Sequence, residues 1–141
     1  MSIPSALETV RSYYDMDVAY LSEFVDGTCV MRAVSVASDA TNLRVGDWRP
    51  FEEAYCRQVY EEKIPAIVLD TSKCLKAREL DVTRLLPIGS HVGVPVRLEN
   101  DDVYGMLCCL GHKPTDMDHL VDLSILHTIS EFIAEQVGQM A

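Results

Sequence analysis

The chain has 141 residues, 48% of them hydrophobic, and a formal net charge of −10. That length fits one domain able to bury roughly 70% of its unfolded surface, and the apolar content excludes a disordered chain. So much negative charge repels DNA, RNA and anionic lipid, so nucleic acid is not an expected partner.

The first residues, MSIPSALETVRSYYD, have neither a basic n-region nor an apolar h-region, so no signal peptide is expected. No apolar run approaches a membrane span, and no membrane association is expected. The five cysteines are Cys29, Cys56, Cys74, Cys108 and Cys109. An odd number without a targeting signal points to free thiols in a reducing, cytoplasmic setting. No CxxC motif or Cys/His spacing suggests a metal site.

Ile3, Ala6, Leu7, Val10 and Tyr14 recur at helical spacing, predicting a helix over residues 4–15 capped by Ser2 or Ser5. VAYLSEFV (Val18–Val25) and TCVMRAVSVA (Thr28–Ala37) read as strands, joined by Asp26-Gly27, a pair that tolerates the positive φ of a tight hairpin. Residues Ser38–Pro50 are polar and predict a loop carrying one large apolar side chain, Trp48. FEEAYCRQVYEEK follows, with Phe51, Ala54, Tyr55 and Val59 on one helical face, then a short buried strand at Ala66–Asp70. Thr71–Pro87 is mixed, with one or two helical turns between Ala77 and Leu86. A second hairpin pairs His91–Leu98 with Asp102–Gly111, and a long helix closes the chain, with Leu123, Leu126, Ile129, Ile133 and Val137 along one side.

Two hairpins and a lone strand predict one antiparallel sheet of about five strands. In Val103–Gly111, Tyr104, Met106, Cys108 and Leu110 make one apolar face and Val103, Gly105, Leu107 and Cys109 the other. A strand apolar on both faces is central and covered on both sides. The terminal helices are the expected cover on one side and Ser38–Pro87 on the other, where an arching segment can enclose a cavity. Cys108 and Cys109 then point to opposite faces and are read as packing.

Three stretches carry a family resemblance: EEAYCRQVYEEKIPAIVLD, IGSHVGVPVRLENDDVYGMLCCLGHKP and LVDLSILHTISEFIAEQV. Together they resemble a GAF domain, the small-molecule sensing module of bacterial signalling proteins, and most nearly those found with cyclic-di-GMP synthesis or hydrolysis domains. The resemblance implies an α+β, PAS-related fold. Its central antiparallel sheet has five to six strands in the order 2-1-5-4-3, with terminal helices on one face and a ligand pocket under a cover segment on the other. It places one domain over residues 1–141, with an N-terminal helix in 1–16, sheet and pocket in 17–112 and a signalling helix in 116–138.

The residues expected to face a ligand are Trp48, Phe51, Tyr55, Cys56, Val59, Asp70, Leu75, Arg78 and His91. Trp48, Phe51 and Tyr55 offer an aromatic wall, or alternatively a small core beneath the cover loop. Asp70 accepts a ligand hydrogen bond or caps the Asp70-Thr71-Ser72 turn. Arg78 and Arg97 are the cations placed to meet an anionic ligand, Arg78 the better of the two. His91 is the histidine on a pocket-lining strand, among His91, His112, His119 and His127 as possible haem ligands. The Cys-His pair of bilin-binding relatives is absent, as is the NKxnFx3DE motif of cyclic-nucleotide-binding ones.

The expectation is a non-catalytic, cytoplasmic sensing domain with an unidentified small-molecule ligand and no assigned cofactor or metal. It forms a homodimer through its terminal helices and is fused to, or acts on, an output such as cyclic-di-GMP turnover. Two other readings stand beside it: a thiol-based redox sensor or GAF-fold methionine sulfoxide reductase using Cys56 and Cys74, and a ligand-free dimerisation module.

Overall fold

Ser2 starts the first helix. Its hydroxyl accepts the backbone N–H of Ser5 at 3.2 Å, and the Ser5 hydroxyl accepts that of Ser2 at 2.9 Å, so two N–H groups with no partner inside the helix are satisfied. In the computed structural model, which describes residues 1–38, 41–116 and 122–140, this helix, α1, spans Ile3–Tyr14 and ends at Asp15 in the left-handed conformation, φ 52°.

The first hairpin is β1 (Val18–Val25) and β2 (Thr28–Val36), turning at Asp26 and Gly27, both at positive φ. Trp48–Pro50, inside the expected loop, is instead a three-residue strand, β3, paired with Thr28–Val30. After a 3₁₀ turn at Phe51–Glu53 comes α2 (Tyr55–Tyr60), then β4 (Ile67–Val68), α3 (Leu75–Glu79) and α4 (Asp81–Leu85). The second hairpin is β5 (Ser90–Arg97) and β6 (Val103–Gly111), and α5 covers Ser124–Met140. The expected final helix begins earlier, and its residues 117–121 lie outside the described residues; the Asp122 carboxylate accepts the Ser124 N–H at 2.9 Å where α5 starts.

All six strands form one antiparallel sheet in the order β3-β2-β1-β6-β5-β4. Without the short edge strand β3, the order is the expected 2-1-5-4-3. β6 sits between β1 and β5, which explains its two apolar faces. Cys108 packs with Tyr20, Tyr55 and Ile88 on one side, and Cys109 with Leu7, Val10 and Leu126 on the other; both are fully buried. Gly105 is required where β6 passes β1, because a Cβ there would overlap the Ser22 carbonyl.

The helical layer is α1 and α5. Leu7, Val10, Tyr14, Leu126 and Ile133 are buried against Ala19, Leu21, Val92, Val94 and Leu107. Each such fully buried aliphatic side chain stabilises the fold by roughly 1.5–3 kcal/mol. The opposite face carries Val18, Tyr20, Cys29, Met106, Cys108 and Leu110, covered by α2 and the segment through Ile88. The site lies between that face and its cover.

Candidate functional site

A cavity of about 790 Å³ opens between the sheet and the cover segment, within the range that holds a small organic ligand. Its buried wall is Tyr20, Cys29, Ala54, Tyr55, Cys56, Val82 and Ile88. Its mouth is the loop Asn42–Arg49 on one side and Leu85 and Leu86 on the other.

The mouth loop is held by its backbone. Gly46 N–H donates to Met31 O and Met31 N–H to Asp47 O, each at 2.8 Å, while Asp47 Oδ2 accepts the Arg44 N–H at 2.9 Å. Gly46 sits at φ +95°, a conformation that favours glycine. Arg49 pairs across the β2–β3 ladder with Cys29, which puts both side chains on the cavity face. Trp48 remains 63% exposed at the rim.

Beneath the wall, the Tyr20 hydroxyl meets His91 Nε2 at 2.7 Å. His91 is fully buried, and its ring lies 4.2 Å from that of Tyr55. Burial pushes the imidazole pKa down to about 3, because no carboxylate compensates the charged form there. His91 is therefore neutral. The tautomer with the proton on Nδ1 lets Tyr20 donate to Nε2, and leaves Nδ1 buried with no partner. The Tyr55 hydroxyl is likewise buried and unpartnered. Burial raises the pKa of Tyr20 and Tyr55, so both phenols stay protonated at neutral pH.

Cys56 Sγ lies 3.3 Å from the Ser22 hydroxyl. Interaction with Cys56, and burial after it, raises the Cys29 thiol; interaction with Cys29 pulls Cys56 down against its own burial. Burial pushes Cys108 well up and Cys109 to about 12, so both remain thiols, as packing residues should.

The expected site residues do not all fall in one place. Trp48, Tyr55 and Cys56 line the cavity, and His91 backs it through Tyr20 and Tyr55. Phe51 belongs to a neighbouring cluster, where the Arg57 guanidinium lies 3.9 Å over the Phe51 ring and 4.9 Å over those of Phe24 and Tyr60. Val59 lines a different cavity, beside Arg97. Asp70 caps its own turn, accepting the Ser72 N–H at 3.0 Å and its hydroxyl at 2.6 Å. Leu75 and Arg78 are exposed on α3. Cys74 lines a cavity with Asp70 and Lys73, apart from that of Cys56. His112 bonds Thr41 and the Pro87 carbonyl, His127 is exposed on α5, and His119 lies outside the described residues. Tyr20, Cys29, Arg44 and Arg49 were not singled out by sequence pattern; the Arg-flanked tryptophan in RVGDWR is the local signal that marks the last two.

Among the described residues, no group of three or more His, Cys, Asp or Glu is arranged to hold a metal, and no helix is long and apolar enough to cross a membrane.

A six-stranded antiparallel sheet with terminal helices on one face and a roofed cavity on the other is the fold of a GAF domain. The family model described as "GAF domain" matches residues 3–136, and the chain belongs to that family. No curated protein matches. Among solved structures, the chain is similar to the GAF domain of an Acinetobacter phosphoenolpyruvate-protein phosphotransferase, at 17% identity over 98% of this chain and 80% of that one, TM-score 0.74. It is similar to the phycoerythrobilin-bound GAF domain of a cyanobacterial phytochrome, at 16% identity over 97% and 83%, TM-score 0.75. It is also similar to the PixJ GAF domain of Thermosynechococcus elongatus, at 18% identity over 97% and 88%, TM-score 0.64. Structural likeness at identities this low shows a shared fold and nothing further.

Proposed function

We propose that this chain is a non-catalytic sensing domain that binds a small molecule non-covalently in the cavity under Trp48 and signals its presence through α1 and α5. The observation that carries this reading is the cavity itself, about 790 Å³ on one face of a sheet whose other face seats both terminal helices. β1 links the two layers within adjacent residues: Tyr20 faces the cavity, while Ala19 and Leu21 pack under the helices. A ligand that shifts Tyr20 therefore bears on the seat of α1 and α5, and differential binding to two packings is what sensing requires.

The finer reading is a cytoplasmic homodimer through the terminal helices, acting on an output such as cyclic-di-GMP turnover. Ile125, Ile129 and Phe132 support the dimer, since they leave a half-buried apolar strip on α5. A covalent bilin of the phytochrome kind is disfavoured because no Cys-His pair occurs in the sequence. A catalytic role is disfavoured because, among the described residues, no carboxylate lies beside the buried, neutral His91. A Cys56–Cys74 thiol couple is disfavoured because the two line different cavities.

Native mass spectrometry of freshly purified protein tests the reading. The expected result is a stoichiometric extra mass, released on denaturation and reduced or missing in an Ala54→Phe variant that places a ring at the cavity wall. An extra mass retained equally by that variant contradicts the assignment to this cavity.

A further inference from the structure

The cavity is cationic at its mouth and uncharged inside. Among the described residues, the charged ones lining it are Arg44, Asp47 and Arg49, two cations to one carboxylate in a chain whose net charge is −10. Arg32, Arg57 and Arg84 each have a carboxylate partner. Among the described residues, the guanidinium groups of Arg44 and Arg49 have none, and Asp47 is turned to the Arg44 backbone instead. The loop bonds described above fix the Arg44 backbone, and the ladder fixes that of Arg49, so both forks are presented without first breaking an ion pair. Arg78 and Arg97 are also unpaired, but neither lines this cavity.

Deeper in, the wall is made of Tyr20, Tyr55, Val82, Ile88 and two thiols, with no ion to neutralise a charge. An anionic group carried to that depth loses its hydration without return. A flat apolar ring loses little and gains contact with the two tyrosines. The charge pattern thus sets both the ligand class and its orientation.

Resting on the reading of this cavity as a ligand site, we propose that it takes a small aromatic anion, ring inward against Tyr20 and Tyr55, with its anionic head held at the mouth by Arg44 and Arg49. A carboxylate and a phosphate both match the planar guanidinium fork. Hydrogen bonds to charged groups are individually strong enough to give about a tenfold preference over a neutral isostere.

The test uses Trp48, which is the single tryptophan and lies at the mouth, so its indole N–H gives one assignable NMR signal. The probes are 1-naphthylacetate, its neutral amide, 1-naphthylmethylamine and 1-naphthyl phosphate, titrated into the full chain. The anions are expected to shift the indole signal saturably and to bind at least tenfold tighter than the amide, with the tighter anion naming the head group. In the Arg44→Gln/Arg49→Gln variant, anion and amide are expected to bind alike, with the amide affinity retained as proof of an intact cavity. If the amide or amine binds as tightly as the anions, or the anion preference survives in that variant, the ligand class is wrong while the cavity remains a binding site. If no probe of any charge shifts the signal, the binding reading falls together with it.

Discussion

The Tyr20 hydroxyl and His91 Nε2 form a 2.7 Å hydrogen bond in the buried layer beneath the cavity, joining β1 to β5 across the central strand β6. This contact keeps a neutral imidazole where no counter-charge exists. Replacing Tyr20 by Phe leaves His91 with neither ring nitrogen bonded, and is expected to cost about 1–3 kcal/mol in urea unfolding. The Tyr20→Phe/His91→Phe pair should cost less than the sum of the singles, since the partner left unsatisfied is also removed.

The same histidine gives the fold an acid limit. In the unfolded chain His91 takes up a proton below pH 6.5; in the folded chain it does so only near pH 3. The unfolded state then binds more protons throughout that window, so stability falls as pH falls through it, by up to about 1.4 kcal/mol per pH unit. A His91→Phe variant should show a flatter profile between pH 6.5 and 4.5, measured by denaturant midpoint. Equal slopes in both proteins contradict burial of a neutral histidine.

Gly105 tests the sheet. A methyl group there overlaps the Ser22 backbone carbonyl, which cannot move without displacing β1. Gly105→Ala is expected to cost about 3 kcal/mol or more. By contrast, Leu75→Ala on the exposed face of α3 should stay within about 0.5 kcal/mol.

The thiols should separate by burial. Cys74 is the one cysteine that is not buried. It is expected to react first with an aromatic disulfide reagent, in a phase removed by Cys74→Ser. Cys108 and Cys109, which do not line the cavity, should react only as fast as the protein opens. A fast phase from either in the folded state contradicts their burial in the two layers of the sheet.

The proposed dimer rests on α5. Ile129 is half-buried at the edge of its packing on the sheet. Ile129→Glu is expected to give a monomer in sedimentation velocity with the fold retained, whereas Leu126→Ala, in the core, should cost about 2–5 kcal/mol of stability. A wild-type protein that is monomeric at micromolar concentration contradicts the dimer.

Much of this was legible in residue pattern. The doubly apolar run Val103–Gly111 marked a central strand, and Asp26-Gly27 marked the first hairpin, because period and turn chemistry are local properties. β3 was not legible: three residues, Trp48 to Pro50, are too few for a period, and only the β2 edge makes them a strand. The site was harder for the same reason. Tyr55 and Cys56 could be placed on the cover helix, but the partner of Cys56 is Ser22, brought there by the sheet and not by any spacing. α3 has five residues, so its pattern could not say that Leu75 and Arg78 face outward. The unpaired state of Arg44 and Arg49 depends on where every carboxylate ends up, which only the folded chain shows.

The most direct measurement is a small-molecule library titration followed on the full amide spectrum, with the Trp48 indole signal reporting the cavity and Leu126 to Ile133 reporting the helical layer. Compounds that shift Trp48 are predicted to shift the α5 amides as well, although the sheet lies between them. Saturable shifts confined to the cavity side, with α1 and α5 unmoved, would contradict a sensor that signals through its terminal helices.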